Sequence, residues 1–232
     1  MERWSDRVYS NLSSKNSLSP FLRDAKRIWQ GRFLRAPETM DDEELIVLVN
    51  SDGEPIGTAE KLASHHGSTP LHLAFSCFIF NRKGELLITE RALSKKVWPG
   101  VWTNSVCGHP GPNESMENAI RRRVDYELGM GATDLVCALP HYRYQSPPFR
   151  GIIENEICPV YLGRTADEPT PNSEEVAAFQ WISWKDFLSS LKKNPGRYSY
   201  WSIDEAALLS GHPLIEDYSA PTGSSRRPAS SL

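Results

Sequence analysis

The 232-residue sequence predicts an α+β fold of α/β/α layering, a mixed sheet flanked by helices. Three observations lead there. Apolar runs of strand length recur along the chain with turn signals between them. One segment, ESMENAIRRRVDYELGM, instead repeats apolar residues at helical spacing, with Met116, Ala119, Ile120, Val124 and Leu128 on one stripe and Gly129 as its stop. Strands and helices also intermingle along the chain, which suits a mixed sheet covered by helices.

The domain begins near residue 43. ELIVLVN runs into the turn signal of SDGEPIGTAE and a second short strand, so a hairpin is expected. LHLAFSCFIF, NRKG and ELLITERA read as strand, turn and strand, and VWTNSVCGH as a further strand. After the helix, strands are expected at LVCALPHYRY, GIIENEICPVYLG and VAAFQWISW, then helices around KDFLSSLKK and SIDEAALLSG. Residues 1–42 are polar, with a short helical pattern around LRDAKRIWQGRF, and read as an extension of a domain spanning 43–216. Residues 217–232 are rich in Ser, Pro and Arg without an apolar pattern, and read as a disordered tail.

Composition excludes several function classes. A net charge of -3 argues against general binding to a phosphate backbone, while leaving room for a local basic pocket. The longest apolar run, near LAFSCFIF, is far too short to cross a bilayer, and MERWSDRVYSNLSSKNS lacks the apolar core of a secretory signal, so a cytoplasmic location is expected. Cys77, Cys107, Cys137 and Cys158 are widely spaced with no CxxC, which reads as four free thiols.

Several polar residues need explaining. In VCGH, period two puts Cys107 and His109 on one face if the stretch is a strand. Glu127 lies close to the apolar stripe of its helix, where it either pairs with Arg123 one turn earlier or binds a cation while Arg123 contacts an anion. In IIENEICPVY the same period puts Glu154, Glu156 and Cys158 on one face, either a solvated one or an interior one where a metal or a proton must hold the acids together. His65, His66, His72 and His109 offer imidazole ligands if separate strands converge. Arg91, Lys95 and Lys96 form a solvated loop or, beside Trp98 and Trp102, a basic rim suited to a short apolar molecule carrying a diphosphate.

TERALSKKVWPGVWTNSVCGHPG, the helix segment ending YELG, and GIIENEICPV resemble the type I isopentenyl-diphosphate delta-isomerases, whose fold is related to that of the Nudix hydrolases. The likeness runs in order over residues 43 to 210, and it implies a Nudix-like mixed sheet flanked by helices. It also implies a site for one Mn2+ or Zn2+ made by His65, His72, His109, Glu154 and Glu156, with His66 a bystander. A Mg2+ would be held by Glu127 and the main-chain carbonyl of Cys107, and the diphosphate by Lys61, Arg91, Lys95 and Arg123.

The implied reaction, serving isoprenoid biosynthesis, moves an isolated double bond in a five-carbon diphosphate. No carbonyl acidifies the neighbouring hydrogen, so the alkene is protonated first and the tertiary cation then loses a proton. By the resemblance Glu156, beside Tyr144, is the acid and Cys107 the base, its thiolate favoured by Mg2+, Lys95 and Arg91. Trp201 would turn its ring face to the cation. The resemblance implies a small diphosphate substrate, no nucleic acid, no membrane span, and a monomer or homodimer. The Nudix-like pattern of Gly108, Glu114, Arg122, Glu127 and Gly129 departs from the hydrolases at Arg123 and Tyr126, where a hydrolase would carry acids. The competing readings are a Nudix-type hydrolase and a binding protein with a structural zinc. Arg150, in SPPFRG, faces either substrate or solvent.

Overall fold

The computed structural model describes residues 44–222; the expected extension over 1–42, with its helical pattern, and residues 223–232 lie outside them. Leu45–Val49 (β1) pairs antiparallel with Pro55–Glu60 (β2), the hairpin expected from the sequence. A one-turn helix, Lys61–Ser64 (α1), follows. Then come His72–Leu73 (β3), Phe75–Phe80 (β4), Glu85–Arg91 (β5), Trp102–Thr103 (β6) and Val106–Gly108 (β7). Met116–Leu128 (α2) leads to Thr133–Leu139 (β8), Arg143–Gln145 (β9), Asn155–Ile157 (β10), Val160–Arg164 (β11) and Val176–Ser183 (β12). Trp184–Lys193 (α3), a 3-10 turn at Pro195–Arg197, Tyr200–Leu209 (α4) and Pro213–Tyr218 (α5) complete the described chain.

The strands form two sheets where the sequence suggested one. A five-stranded sheet runs β2-β1-β3-β10-β9, and a larger one runs β12-β5-β4-β11-β8, with β6 on β5 and β7 on β4. Both are mixed, because β10 lies parallel to β3 and β11 parallel to β4. LHLAFSCFIF and IENEICPVYLG therefore each cross from one sheet to the other. The crossings are side by side: Ala74 N donates to Ile157 O (3.0 Å) and Ser76 N to Pro159 O (3.2 Å). Pro159 has no N–H to give a ladder, which marks where β10 ends and β11 begins.

Period two sorts the larger sheet's side chains. Cys77, Ile79 and Leu87 pack with Ala119, Ile120, Val124 and Leu128 of α2, whereas Phe78, Phe80, Leu86 and Ile88 pack with Phe187, Leu209 and Ile215 of α3, α4 and α5. Helices thus cover both faces, the layering expected. Phe75, Phe78, Phe80 and Phe187 are fully buried, each contributing about 1.5–3 kcal/mol through its removal from water.

The helix ends follow local rules. Ser115 Oγ accepts from Asn118 N to cap α2, and Gly129 closes it in the left-handed region (φ 60°), with its N–H bonded to Asp125 O. The buried face of α2 includes Arg123 and Glu127 with its apolar residues. Ser199 caps α4 by accepting from Ser202 N, and Trp201 and Glu205 lie one turn apart on its buried face. Of the tail expected over residues 217–232, residues 217–222 are described and belong to the packed fold. Asp217 and Tyr218 close α5, Tyr218 is buried against Phe80, and Thr222 N still donates to Arg82 O (2.9 Å). No described helix is long and apolar enough to cross a membrane.

Candidate active site

The five-stranded sheet sets three polar side chains in one row. His72 lies opposite Glu156 across β3 and β10, and Glu156 lies opposite Tyr144 across β10 and β9, so all three project from the same face. That face is interior: Glu154 and Glu156 are both buried, which decides against the solvated alternative for the ENE segment. His65, at the end of α1, and His109, just beyond β7, complete the group. One ligand atom from each of His65, His72, His109 and Glu156 lies within 4.8 Å of the others. Glu154 stands beside them, its Oε2 3.3 Å from His65 Nε2 without a completed hydrogen bond, while His66 is exposed and bonds Ser68.

The group fits a divalent cation on its own chemistry. Nδ1 of His65 is engaged by Lys61 O (2.6 Å) and Nδ1 of His72 by Pro70 O (2.8 Å), which leaves each Nε2 lone pair facing inward. Nε2 of His72 and Nε2 of His109 are 3.1 Å apart, and Glu156 Oε1 is 3.6 and 3.4 Å from them. Burial pushes the His109 imidazole down to about 3, so it is neutral. Burial works to raise the proton affinity of Glu156, but the facing His109 and His72 rings hold it well below the usual carboxylate range. Imidazole nitrogens gathered around a carboxylate form a donor set that suits a divalent cation.

A cleft of about 250 Å³ opens against this group, lined by His65, His109, Glu154 and Glu156 and by Lys61, Arg91, Lys95, Arg123 and Glu127. The four cations expected to hold a diphosphate thus share one space, although each has a partner within the chain. Lys61 pairs with Glu44, and Lys95 forms a close ion pair with Glu175. Arg91 donates to Val97 O and Trp98 O. Arg123 Nε and Nη2 bond Glu127 Oε1 (2.9 and 2.7 Å), and Nη2 is 3.3 Å from Glu175 Oε2. Sequence reasoning moved Arg123 and Glu127 apart, each to a ligand group; the structure pairs them while both line the cleft. Burial works against the Arg123 charge, but Glu127, Glu175 and Glu44 over-compensate it, so its proton is held more tightly than usual.

Cys107 and Gly108 enter the cleft from β7, with Ser76 beside them on β4. Cys107 Sγ donates to Asn104 Oδ1 (3.0 Å) and lies 3.4 Å from Ser76 Oγ. Among the chain's own groups, burial and then the proximity of Glu205 push the Cys107 thiol up to about 12, while Lys95 and Arg91, two of the three cations expected to favour a thiolate, are engaged by Glu175 and by loop carbonyls. The remaining wall is aromatic. Trp201 lines the cleft, with Trp98 edge-on at 5.4 Å and Tyr144 at 6.3 Å. Burial keeps the Tyr144 hydroxyl protonated. Arg150 is exposed and does not line the cleft; its guanidinium lies over Phe149.

Four polar residues at the site escaped sequence reasoning. Glu44 and Glu175 are acids on loops or strand edges, with no spacing to mark them as partners of Arg123. Ser76 sits within an apolar strand and Glu205 within an apolar helix face, where a polar residue was itself the available signal. By contrast, Glu114 and Arg122 were both named in the Nudix-like pattern, and they form a bidentate pair (2.8 Å twice) while Arg122 also donates to His109 O (3.2 Å). That pair anchors the loop carrying His109.

The NUDIX domain family matches residues 70–202. The crystal structure of DR0079 from Deinococcus radiodurans superposes on 73% of this chain and 99% of its own with a TM-score of 0.54 at 22% identity, which agrees in fold. The isopentenyl-diphosphate Delta-isomerase of Frankia alni is 46% identical over 177 residues, 75% of this chain and 90% of that protein. The isopentenyl-diphosphate Delta-isomerase of Salmonella paratyphi B is 48% identical over 176 residues, 76% of this chain and 97% of its own length. At that identity and coverage, the chain belongs to the isopentenyl-diphosphate Delta-isomerase family, on a NUDIX domain.

Proposed function

We propose that this chain is a metal-dependent isomerase of type I that interconverts isopentenyl diphosphate and dimethylallyl diphosphate. The observation that carries the reading is the meeting of two sheets at one cleft. β7 of the larger sheet supplies Cys107, and β10 of the smaller one supplies Glu156, so a substrate between them meets a proton-transfer group from each side. Lys61, Arg91, Lys95 and Arg123 would hold the diphosphate, and Trp201 would present an electron-rich face to a cationic carbon.

The hydrogen balance is simple. Glu156, with Tyr144 beside it, delivers a proton to the terminal alkene carbon, and the positive charge forms at the tertiary carbon. Cys107 takes a proton from the carbon on the other side, whose C–H electron pair becomes the new double bond. The diphosphate stays attached. A protonated Cys107 with an ionised Glu156, the charge state described above, is the one that ends this direction and begins the reverse. Burial of the aromatic wall keeps water from the cation.

His65, His72, His109 and Glu156, with Glu154 adjacent, would hold Mn2+ or Zn2+, and Glu127 with the Cys107 carbonyl would hold Mg2+ at the diphosphate. Such ions would fix Glu156, tune its proton affinity and neutralise phosphate charge.

The test incubates isopentenyl diphosphate with the purified protein and divalent cations, following organic product and free phosphate together. Dimethylallyl diphosphate without phosphate release supports the reading. Phosphate release without isomer would transfer the site to hydrolysis, and folded, metal-loaded protein giving neither product would mark a binding protein.

A further inference from the structure

Glu175 stands behind the cations of the cleft without facing the cleft itself. It is 2% exposed, and the cleft is lined by its neighbour Glu174 rather than by Glu175. Its Oε2 forms the close ion pair with Lys95 Nζ and lies 3.3 Å from Arg123 Nη2, while its Oε1 completes no hydrogen bond. One carboxylate oxygen thus meets two of the cations expected to bind phosphate. They come from separate parts of the chain, Lys95 from the loop after β5 and Arg123 from the buried face of α2.

The backbone of Glu175 joins the same two parts. Its N–H donates to Asn172 O (3.0 Å), and its carbonyl accepts from Ala92 N (2.9 Å) at the start of the Lys95 loop. Asn172 N donates in turn to Glu127 O (2.9 Å) and Thr170 N to Leu128 O (2.7 Å), which fastens the segment to the end of α2. The carboxylate is therefore fixed before a ligand arrives. Lys95, Arg91 and Arg123 share one cleft, where like charges repel and the long Lys95 side chain gains freedom by swinging to solvent. A fixed anion behind them offsets the repulsion and lowers the ordering cost of binding. It also leaves donors for a ligand. The Nε and Nη2 of Arg123 serve Glu127 and Glu175, so Nη1, 3.9 Å from Glu44 Oε2, is the edge left for an anion.

We propose that Glu175 is a positioning residue for diphosphate binding: from behind the cleft it holds Lys95 and Arg123 together, so that their remaining N–H groups converge on one phosphate-bearing ligand. The inference rests on the reading of the cleft as a diphosphate site. Glu175 itself touches neither substrate nor metal. The opposite role, an internal anion competing with the ligand for the same cations, predicts the reverse sign when the acid is removed.

The experiment compares the wild type with Glu175→Ala, Glu175→Gln, Lys95→Ala and the Glu175→Ala/Lys95→Ala double variant. Each is assayed for kcat and KM with isopentenyl diphosphate, for the Kd of inorganic pyrophosphate with Mg2+ by calorimetry, and for melting temperature. Glu175→Ala is expected to raise KM and the pyrophosphate Kd by about tenfold, with kcat within about twofold of wild type. Glu175→Gln, whose amide oxygen accepts from the same cations, is expected to lose only about threefold, and its direction decides the matter if the Ala protein does not fold. The double variant loses less than the product of the single losses, because Glu175 acts in part through Lys95. Tighter binding without the acid, a lower melting temperature with both constants unchanged, a Gln variant as weak as Ala, or losses that multiply would each overturn the proposal. Wild-type protein that binds pyrophosphate without isomerising would remove the functional reading, and the pyrophosphate constants would then decide the role of Glu175 alone. Wild-type protein that binds no pyrophosphate would overturn both.

Discussion

Nε2 of His72 and Nε2 of His109 lie 3.1 Å apart in a buried site, and the Nδ1 of His72 is already committed to Pro70 O. A proton on His109 Nε2 or a cation bound by both nitrogens accounts for that approach, and the proposed metal centre takes the second. Protein prepared with Mn2+ or Zn2+ is expected to lose a bound ion to a strong chelator and melt lower. At a metal concentration 100 times Kd the ion adds about 2.7 kcal/mol, which is roughly 5–10 °C for a domain of this size. His72→Ala abolishes both the retained metal and the chelator effect. A melting temperature indifferent to chelation, with no ion by elemental analysis, would remove the metal centre.

Arg123 joins the stability of α2 to ligand binding. Arg123→Gln leaves Glu127 and Glu175 without their shared partner in a buried position, a change that costs about 3–5 kcal/mol by urea unfolding. The same variant raises KM for the diphosphate by about 10- to 100-fold through the loss of a charge-assisted hydrogen bond, with a smaller effect on kcat. Unchanged KM in folded variant protein would take Arg123 out of the diphosphate site.

Glu44 gives stability a dependence on acid pH. Burial works to raise its proton affinity, but Lys61 and Arg123 hold it down to about 2 from an ordinary 4.5. A depressed carboxylate stabilises the fold above the unfolded value and loses that contribution as pH falls through the folded one. The wild type therefore loses stability between about pH 4.5 and 2 in excess of Glu44→Gln, which starts lower at neutral pH and falls less steeply. Parallel stability profiles for the two proteins would show that the Glu44 pair contributes nothing to folding.

Gly129 is constrained from two sides. It adopts φ 60°, and a Cβ there would lie 2.9 Å from Thr170 O. Gly129→Ala is expected to destabilise the domain by about 1–3 kcal/mol in urea while leaving the α2 residues of the cleft in place. A neutral effect would mean that the loop at Thr170 yields without cost.

The fold was legible wherever period and burial agree. The α2 stripe, its Gly129 stop and the β1–β2 hairpin follow from spacing alone, because each buries one face against one partner. The division of LHLAFSCFIF between two sheets was hidden, since a continuous apolar run carries no mark of the Ala74 crossing. Tyr218 reads as the start of a polar tail until Phe80 is brought under it. At the site, strand spacing joins Cys107 with His109 and Glu154 with Glu156, whereas the choice of His65 and His72 and the roles of all of them came from the family resemblance, because histidines on separate segments share no spacing. Glu44 and Glu175 do not stand out, for their meaning lies in the distance to Arg123, which only the folded chain sets.

The central claim is that two groups of this chain, Cys107 and Glu156, add and remove protons on either side of the bound alkene. The most direct measurement follows isopentenyl diphosphate in D2O by NMR with the wild type, Cys107→Ala and Glu156→Gln. Dimethylallyl diphosphate carrying solvent deuterium from the wild type, with turnover lost by at least about 100-fold in each variant, is the predicted result. Isomer free of deuterium, or near-normal turnover in either variant, would contradict it.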